Sequence, residues 1–179
     1  MAEEKKETWT TYLAITTVVF AVCATLSTFK GGGFSTKSLM SQSKASDEWA
    51  FFQAKSTKSY LFELQRERME LDMQILPKTK DGNAAAEKFQ DKIAKYETKI
   101  KQYEKDKEDI TKSARAYENE IAGFRQHSSA FGMAVIFLQV AILLSSIAAL
   151  MKRRPIWFLS LAVGIVGIFY FVDGFLLFF

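Results

Sequence analysis

The sequence predicts an all-α membrane protein: three transmembrane helices, with a long antiparallel helical hairpin, a coiled coil, between the first and second spans. Two observations predict it. Charged side chains are missing between Glu7 and Lys30, between Arg125 and Lys152 (with His127 neutral), and between Arg154 and Asp173. Each stretch comes close to the roughly 20 apolar residues that cross the hydrocarbon of a bilayer. In addition, apolar positions from Phe89 onward alternate spacings of four and three: Phe89, Ile93, Tyr96, Ile100, Tyr103, Ile110, Ala114, Tyr117, Ile121, Phe124 and Phe131, with Lys107 and Ser128 at the off-pattern steps. That is the spacing of a coiled-coil seam. No proline interrupts it before Pro155, so the second hairpin helix is expected to be continuous with the second span.

The first span is expected near residues 9–29, within a segment covering 1–30. Val22, Cys23 and Ala24 fit the small-residue pattern of a signal-peptide cleavage site, but the leading MAEEKKE carries more acid than base, whereas a secretory leader begins positively charged. The segment therefore reads as a retained anchor. Next comes KGGGFSTKSLMSQSKAS. Three successive glycines oppose a helix through their backbone entropy, so the chain is expected to break there. Ser46 or Asp47 is then the expected N-cap of the next helix.

The hairpin is expected to occupy residues 31–128, with helices at about 46–76 and 84–128 and a turn at 77–83. Pro77 ends the first helix, and Gly82 and Asn83 suit left-handed turn conformations. Ala50, Ala54, Thr57, Leu61, Leu64, Arg68, Leu71 and Ile75 keep heptad spacing on the first helix. Folding back at the turn is expected to bring Leu71 near Phe89, Leu64 near Tyr96 and Leu61 near Ile100. Beside them Phe62, Met69, Met73 and Leu76 form a second apolar stripe, with Trp49, Phe51, Phe52 and Tyr60 crowding the base. Two helices bury one seam each, so the second stripe implies self-association through Phe62, Met69 and Met73. Lys107, at a core position, resembles a register-setting polar residue. The last segment, 129–179, is expected to hold two spans near 131–150 and 156–175.

Lys152, Arg153 and Arg154 fill the short connection between those spans. Short basic loops stay cytoplasmic, which places the N-terminus inside and the hairpin on the far, periplasmic side.

Enzyme chemistry finds little footing. The chain has one histidine and one cysteine, neither with the partners of a nucleophilic or metal site. His127 reads as a solvated interfacial helix residue. No glycine pattern has a phosphate-loop context. The net charge of +4 is mostly local, at Lys152, Arg153 and Arg154, while the basic residues of the hairpin are matched by nearby acids, as on a solvated helix face, which excludes a nucleic-acid stripe. No catalytic residue, cofactor or metal is expected. The sharper candidates are two intramembrane polar residues: Gln139, mid-span, expected to hydrogen-bond across helices, and Asp173, expected to be an exposed carboxylate at the interface, or an intramembrane acid if the last span reaches Phe178. Ser160, Gly164, Gly167 and Gly174 share one face of the third span; Gly164 and Gly167 are candidate oligomer contacts. Thr16, Thr17 and Thr25 can satisfy their hydroxyls on the preceding helical turn.

MAEEKKETWTTYLAITTVVFAVCA and the following CATLSTFKGGGFSTKSLMSQSKASDEWAFFQAKS resemble a bacterial membrane family described as domain of unknown function 4337, nearly end to end. The glycine triplet and residues 45–56 are the most specific parts. The resemblance implies a bacterial inner-membrane location and supports three spans; it implies no reaction or ligand. The expected function is a non-enzymatic, homo-oligomeric membrane scaffold or adaptor. Its hairpin would present a surface to an unidentified protein partner, away from the bilayer. The alternative is an oligomeric channel or transport component, its pathway lined by Gln139, hydroxyl residues and Asp173.

Overall fold

The computed structural model describes residues 8–77 and 79–177; MAEEKKE and Phe178, both used above, lie outside them. The described chain is all-helical: α1 (Thr8–Gln74), α2 (Lys80–Met151) and α3 (Arg154–Leu176). Each contains a stretch long and apolar enough to cross a membrane by length and composition.

The expected break at the glycine triplet is absent, and α1 runs through it as one 67-residue helix. Each helical glycine costs about 1 kcal/mol relative to alanine, a local penalty that tertiary packing along so long a helix overrides. Gly31 shows that packing: a Cβ there would lie 3.0 Å from the Phe131 Cβ. Ser46 and Asp47 are consequently mid-helix, not caps.

The turn after α1 is tighter than expected. The Thr79 N–H donates to the Pro77 carbonyl at 2.8 Å. Thr79 Oγ1 accepts from the Gly82 N–H at 3.2 Å, the bond an N-cap threonine makes with the third helical residue. Gly82 and Asn83 are therefore helical, and no described glycine has a positive φ. At the other corner Lys152 takes φ 49°. Its N–H donates to the Ala149 carbonyl at 3.4 Å and that of Arg153 to the Ala148 carbonyl at 3.2 Å, a Schellman-type stop. Pro155 then opens α3, where a missing N–H costs nothing.

The chain divides into two compact units, residues up to Met40 with those from Glu120 onward, and Ser41–Asn119. In the first, a three-helix unit, Phe20 and Ala24 of α1 pack with Ala134, Leu138 and Ala141 of α2, joined by Leu161, Val163 and Ile168 of α3. A smaller cluster joins Trp9, Leu13 and Ala148 to Ile156 and Trp157. The Thr16, Thr17 and Thr25 hydroxyls bond to carbonyls of the preceding turn at 2.8–2.9 Å, as expected.

In the second, a two-helix unit, contacts descend α2 as they ascend α1. Trp49 Nε1 donates to Glu118 at 2.9 Å, Lys55 pairs with Asp106 at 2.6 Å, and Phe62 lies 5.9 Å from Tyr103 and 5.3 Å from Tyr96 between ring centres. On α2 the half-buried face is the ladder Phe89, Ile93, Tyr96, Ile100, Tyr103, Lys107, Ile110 and Tyr117, with Ala114 fully buried. On α1 the face differs from expectation. Leu61, Leu64 and Leu71 are exposed, while Phe62, Met69, Met73 and Leu76 are half-buried. The two stripes have exchanged roles, because the buried α1 face is built largely from small and polar residues. It reads Ser41, Ala45, Glu48, Phe52, Lys55, Ser59, Phe62, Arg66, Met69, Met73 and Leu76, an unbroken alternation of four and three.

Candidate functional site

The face that α3 turns to the interior of the three-helix unit is small and polar. Ser160, Gly164, Gly167, Asp173 and Gly174 are the buried residues of α3. The Phe20 ring occupies the space a Cβ on Gly164 would need. A Cβ on Gly167 would lie 2.8 Å from Leu138 Cγ and 3.0 Å from the Leu138 backbone nitrogen, and one on Gly174 2.8 Å from the Phe131 ring. Glycine here permits helices to approach closely. Gly164 and Gly167 are thus filled by their own chain, which corrects their expected role as contacts to another copy. Ser160 Oγ donates to the Ala141 carbonyl at 2.9 Å. Having spent its only proton, it accepts from Ser145 Oγ at 2.6 Å. Both hydroxyls are fully buried and both are satisfied.

A second polar cluster involves His127, which is half-buried and not the solvated residue expected. Its ring stacks on Phe34 at 4.4 Å and 12°. Nδ1 lies 2.8 Å from the Gly174 carbonyl oxygen; a carbonyl only accepts, so Nδ1 carries the proton. Ser128 Oγ donates to the Gly31 carbonyl at 3.1 Å. Lys37 stands over the Phe34 and Phe124 rings and Lys30 over Phe175, at 5.5–5.9 Å, within cation–π range. Asp173 is 4% exposed and engaged within the structure, while its backbone carbonyl accepts from the Leu177 N–H at 2.7 Å. Gln139, by contrast, is exposed on the outer face of α2, near Ile136, Val140 and Leu143. The two candidate polar residues therefore lie on opposite sides of the packing, one inside and one out.

The two-helix unit carries its polar groups at mid-seam. Lys107 is buried to 15% side-chain exposure, pairs with Glu104 at 2.5 Å and stands over the Phe52 ring at 5.8 Å. The buried Ser59 hydroxyl faces Glu104 at 3.3 Å and Glu63 at 3.4 Å, one proton between two carboxylates. Lys55 stands over Tyr103 at 5.1 Å while pairing with Asp106. On the solvent side Lys112 bonds to Glu108 at 2.8 Å. That bond holds the Glu108 carboxyl below its ordinary value and raises the Lys112 ammonium.

Such geometry holds helices at fixed spacing and register. Among the described residues no group of three or more His, Cys, Asp or Glu side chains could hold a metal ion. Sequence reasoning overlooked Ser59, Ser145 and the stacking of His127 on Phe34. Counting small and polar residues at the same four-three spacing would have found the first, because Ser59 continues the series through Phe52 and Lys55.

The chain matches the family described as Domain of unknown function (DUF4337) over residues 9–177, and it belongs to that family. No curated protein matches it, and no solved structure does.

Proposed function

We propose that this DUF4337 chain is a non-enzymatic, membrane-anchored scaffold or adaptor that acts as a homo-oligomer, its two-helix unit forming an antiparallel coiled-coil hairpin that offers a binding surface. One observation carries the reading. The three-helix unit is apolar on its outside and keeps polar groups in its core: Ile15, Val18, Val22, Leu26, Ile136, Leu143, Phe158, Ile165 and Phe169 are exposed, while Ser27, Ser145, Ser160 and Asp173 are buried beside Phe20, Phe131 and Leu138. Water penalises that arrangement and hydrocarbon favours it, since close helix packing through small residues, not hydrophobic burial, holds helices together in lipid. The hairpin is supported by the opposed order of contacts from Trp49 with Glu118 to Phe62 with Tyr96.

In this reading the location is a bacterial inner membrane. The N-terminus and the basic loop 152–154 are cytoplasmic and the hairpin is periplasmic. A channel or transport component is the second reading. One observation favours it: the Gln139 amide is exposed on an apolar face, where an amide in lipid needs a partner or water. A pore lined by Gln139 would then lie between copies.

The test uses single cysteines in a Cys23→Ser chain. Cysteines at Ile15, Leu143 and Ile165 are expected to resist a membrane-impermeant maleimide until detergent is added, and one at Lys80 to react in intact cells. Ready labelling of the first three in membranes would overturn the anchor, and protection of Lys80→Cys until lysis would reverse the topology. Conductance that Gln139→Leu abolishes would select the channel.

A further inference from the structure

We infer that the exposed α1 stripe of the two-helix unit is the contact between two copies of this chain, stripe to stripe about a two-fold axis. This deepens the homo-oligomer named above and rests on that reading. Ala50, Ala54, Thr57, Leu61, Leu64, Arg68, Leu71 and Ile75 alternate steps of four and three, and all are exposed. The four large apolar members are 54–81% exposed. The face is separate from the buried α1 seam, which contacts α2 through Lys55, Ser59 and Phe62. α1 therefore carries two complete heptad series, and the chain's own helix covers only one.

Heptad spacing selects the occupant, because a seam repeating every 3.5 residues accepts the knobs of another α-helix and fits no strand or loop. Its length, at about 1.5 Å per residue, is nearly 40 Å, enough for about four heptads. α2 cannot supply the matching face. Among the described residues, the exposed large apolar side chains of the two-helix unit lie on α1 or directly after it: Trp49, Phe51, Tyr60, Leu61, Leu64, Leu71 and, one residue past the helix end, Ile75. The outer face of α2 is charged, with Lys92, Glu97, Lys101, Glu108 and Lys112. Within this chain the stripe's complement is the stripe itself, which is the condition for an isologous, closed pair.

Charge supports the same occupant. Arg68 interrupts the stripe at a core position, and Glu67 flanks it; both are exposed, and neither forms an ion pair among the described residues. A two-fold axis near Leu64 and Arg68 brings Arg68 of each copy within reach of Glu67 of the other. The pair then supplies two compensating contacts while Leu61, Leu64, Leu71 and Ile75 lose water.

The experiment measures the self-association of the full chain in mild detergent by analytical ultracentrifugation. Leu64→Lys combined with Leu71→Lys is expected to weaken association at least about tenfold, equivalent to 1.4 kcal/mol. Helicity should be unchanged, because both positions are exposed in the single chain, while melting should fall only by the stabilisation that association gives the wild type. Glu67→Arg and Arg68→Glu are each expected to weaken it, and the double charge swap to restore it. Unchanged association in the lysine variant, or failure of the swap to rescue, overturns the stripe as the contact while leaving the oligomer standing. A wild-type chain that stays monomeric at every concentration overturns both. The cysteine-protection assay, run in parallel, reports separately on the anchor.

Discussion

The two units of this chain solve helix packing with opposite materials. In the three-helix unit glycine, alanine and serine fill much of the interior around a few large side chains such as Phe20, Phe131 and Leu138, and many large apolar side chains such as Ile15, Leu143 and Phe158 face outward. In the two-helix unit aromatic and charged side chains share the interior, as Lys107 does beside Phe52, and the outside is largely charged on α2, with exposed apolar side chains gathered on α1. The difference follows from what surrounds each in the proposed reading. Where lipid surrounds helices, an outward leucine costs nothing and stability comes from close backbone approach and satisfied polar groups. In water, apolar burial drives association, and the half-buried Lys107 runs its stem along the seam to pair with Glu104, which is more exposed.

The largest effect is expected where the first unit is most tightly closed. Gly167→Ile would drive a side chain against the backbone nitrogen of Leu138, 3.0 Å from where its Cβ would stand, and backbone cannot step aside as a ring can. Separation of α3 from α2 is expected, with a loss beyond about 3 kcal/mol, the upper end for overpacking, measured by denaturant titration in detergent micelles. Gly132→Ala is the control. Nothing lies within 4 Å of an added Cβ there, so it should stabilise α2 by up to about 1 kcal/mol through helix propensity. If both glycines behave alike, close approach is not what holds the unit. Ser160→Ala comes next. It removes the donor to the Ala141 carbonyl and the acceptor for Ser145. A loss of about 1 kcal/mol is expected, limited because the Ser145 hydroxyl can turn back to the Ala141 carbonyl one turn below. A loss equal to that of Gly167→Ile would make hydrogen bonding, not packing, the dominant support.

The same contrast explains what the sequence disclosed. The α2 ladder from Phe89 to Phe131 was legible because its members are mostly large and apolar; every one is buried or half-buried, as are Lys107 and Ser128 at the two steps of different chemistry. Its α1 counterpart was hidden because Ser41, Ala45, Lys55, Ser59 and Arg66 do not register in a hydrophobic scan. Leu61, Leu64 and Leu71 do, and drew the seam onto the wrong face. The small-residue face of α3 was readable as a close-packing surface, but periodicity names no partner, and at Gly164 and Gly167 it was Phe20 and Leu138 that took the places assigned to another copy. The glycine triplet misled for a related reason: propensity is local, whereas the helix that overrides it is 67 residues long. Asp173 was legible as a polar residue within the last apolar helix, but it is buried, at 4% exposed, where an exposed carboxylate was expected, because sequence position does not show which face of α3 packs inward.

The smallest effect is expected at the solvent face of the two-helix unit, where Glu108 bonds to Lys112 one turn away. Its pH dependence has two limbs. The Glu108 carboxyl is held below its ordinary value, first by the hydrogen bond from Lys112 and then by its charge. Its contribution is therefore present above the unfolded carboxylate value of about 4.3 and is lost as pH falls through the lower folded value. The Lys112 ammonium is raised, chiefly by the same bond. Its contribution is complete below the unfolded lysine value of about 10.4 and is lost as pH rises through the higher folded one. Between those limits the pair is constant, and because both side chains are open to solvent, salt screens it. Glu108→Gln should thus lower the melting temperature of the full chain at pH 7 by less than any substitution above. The difference should vanish at pH 2 and in concentrated salt. A Glu108→Gln deficit as large as that of Ser160→Ala, persisting in salt, would show that this face is shielded from water. The contrast between a solvated hairpin and an anhydrous anchor would then fail at its most exposed point.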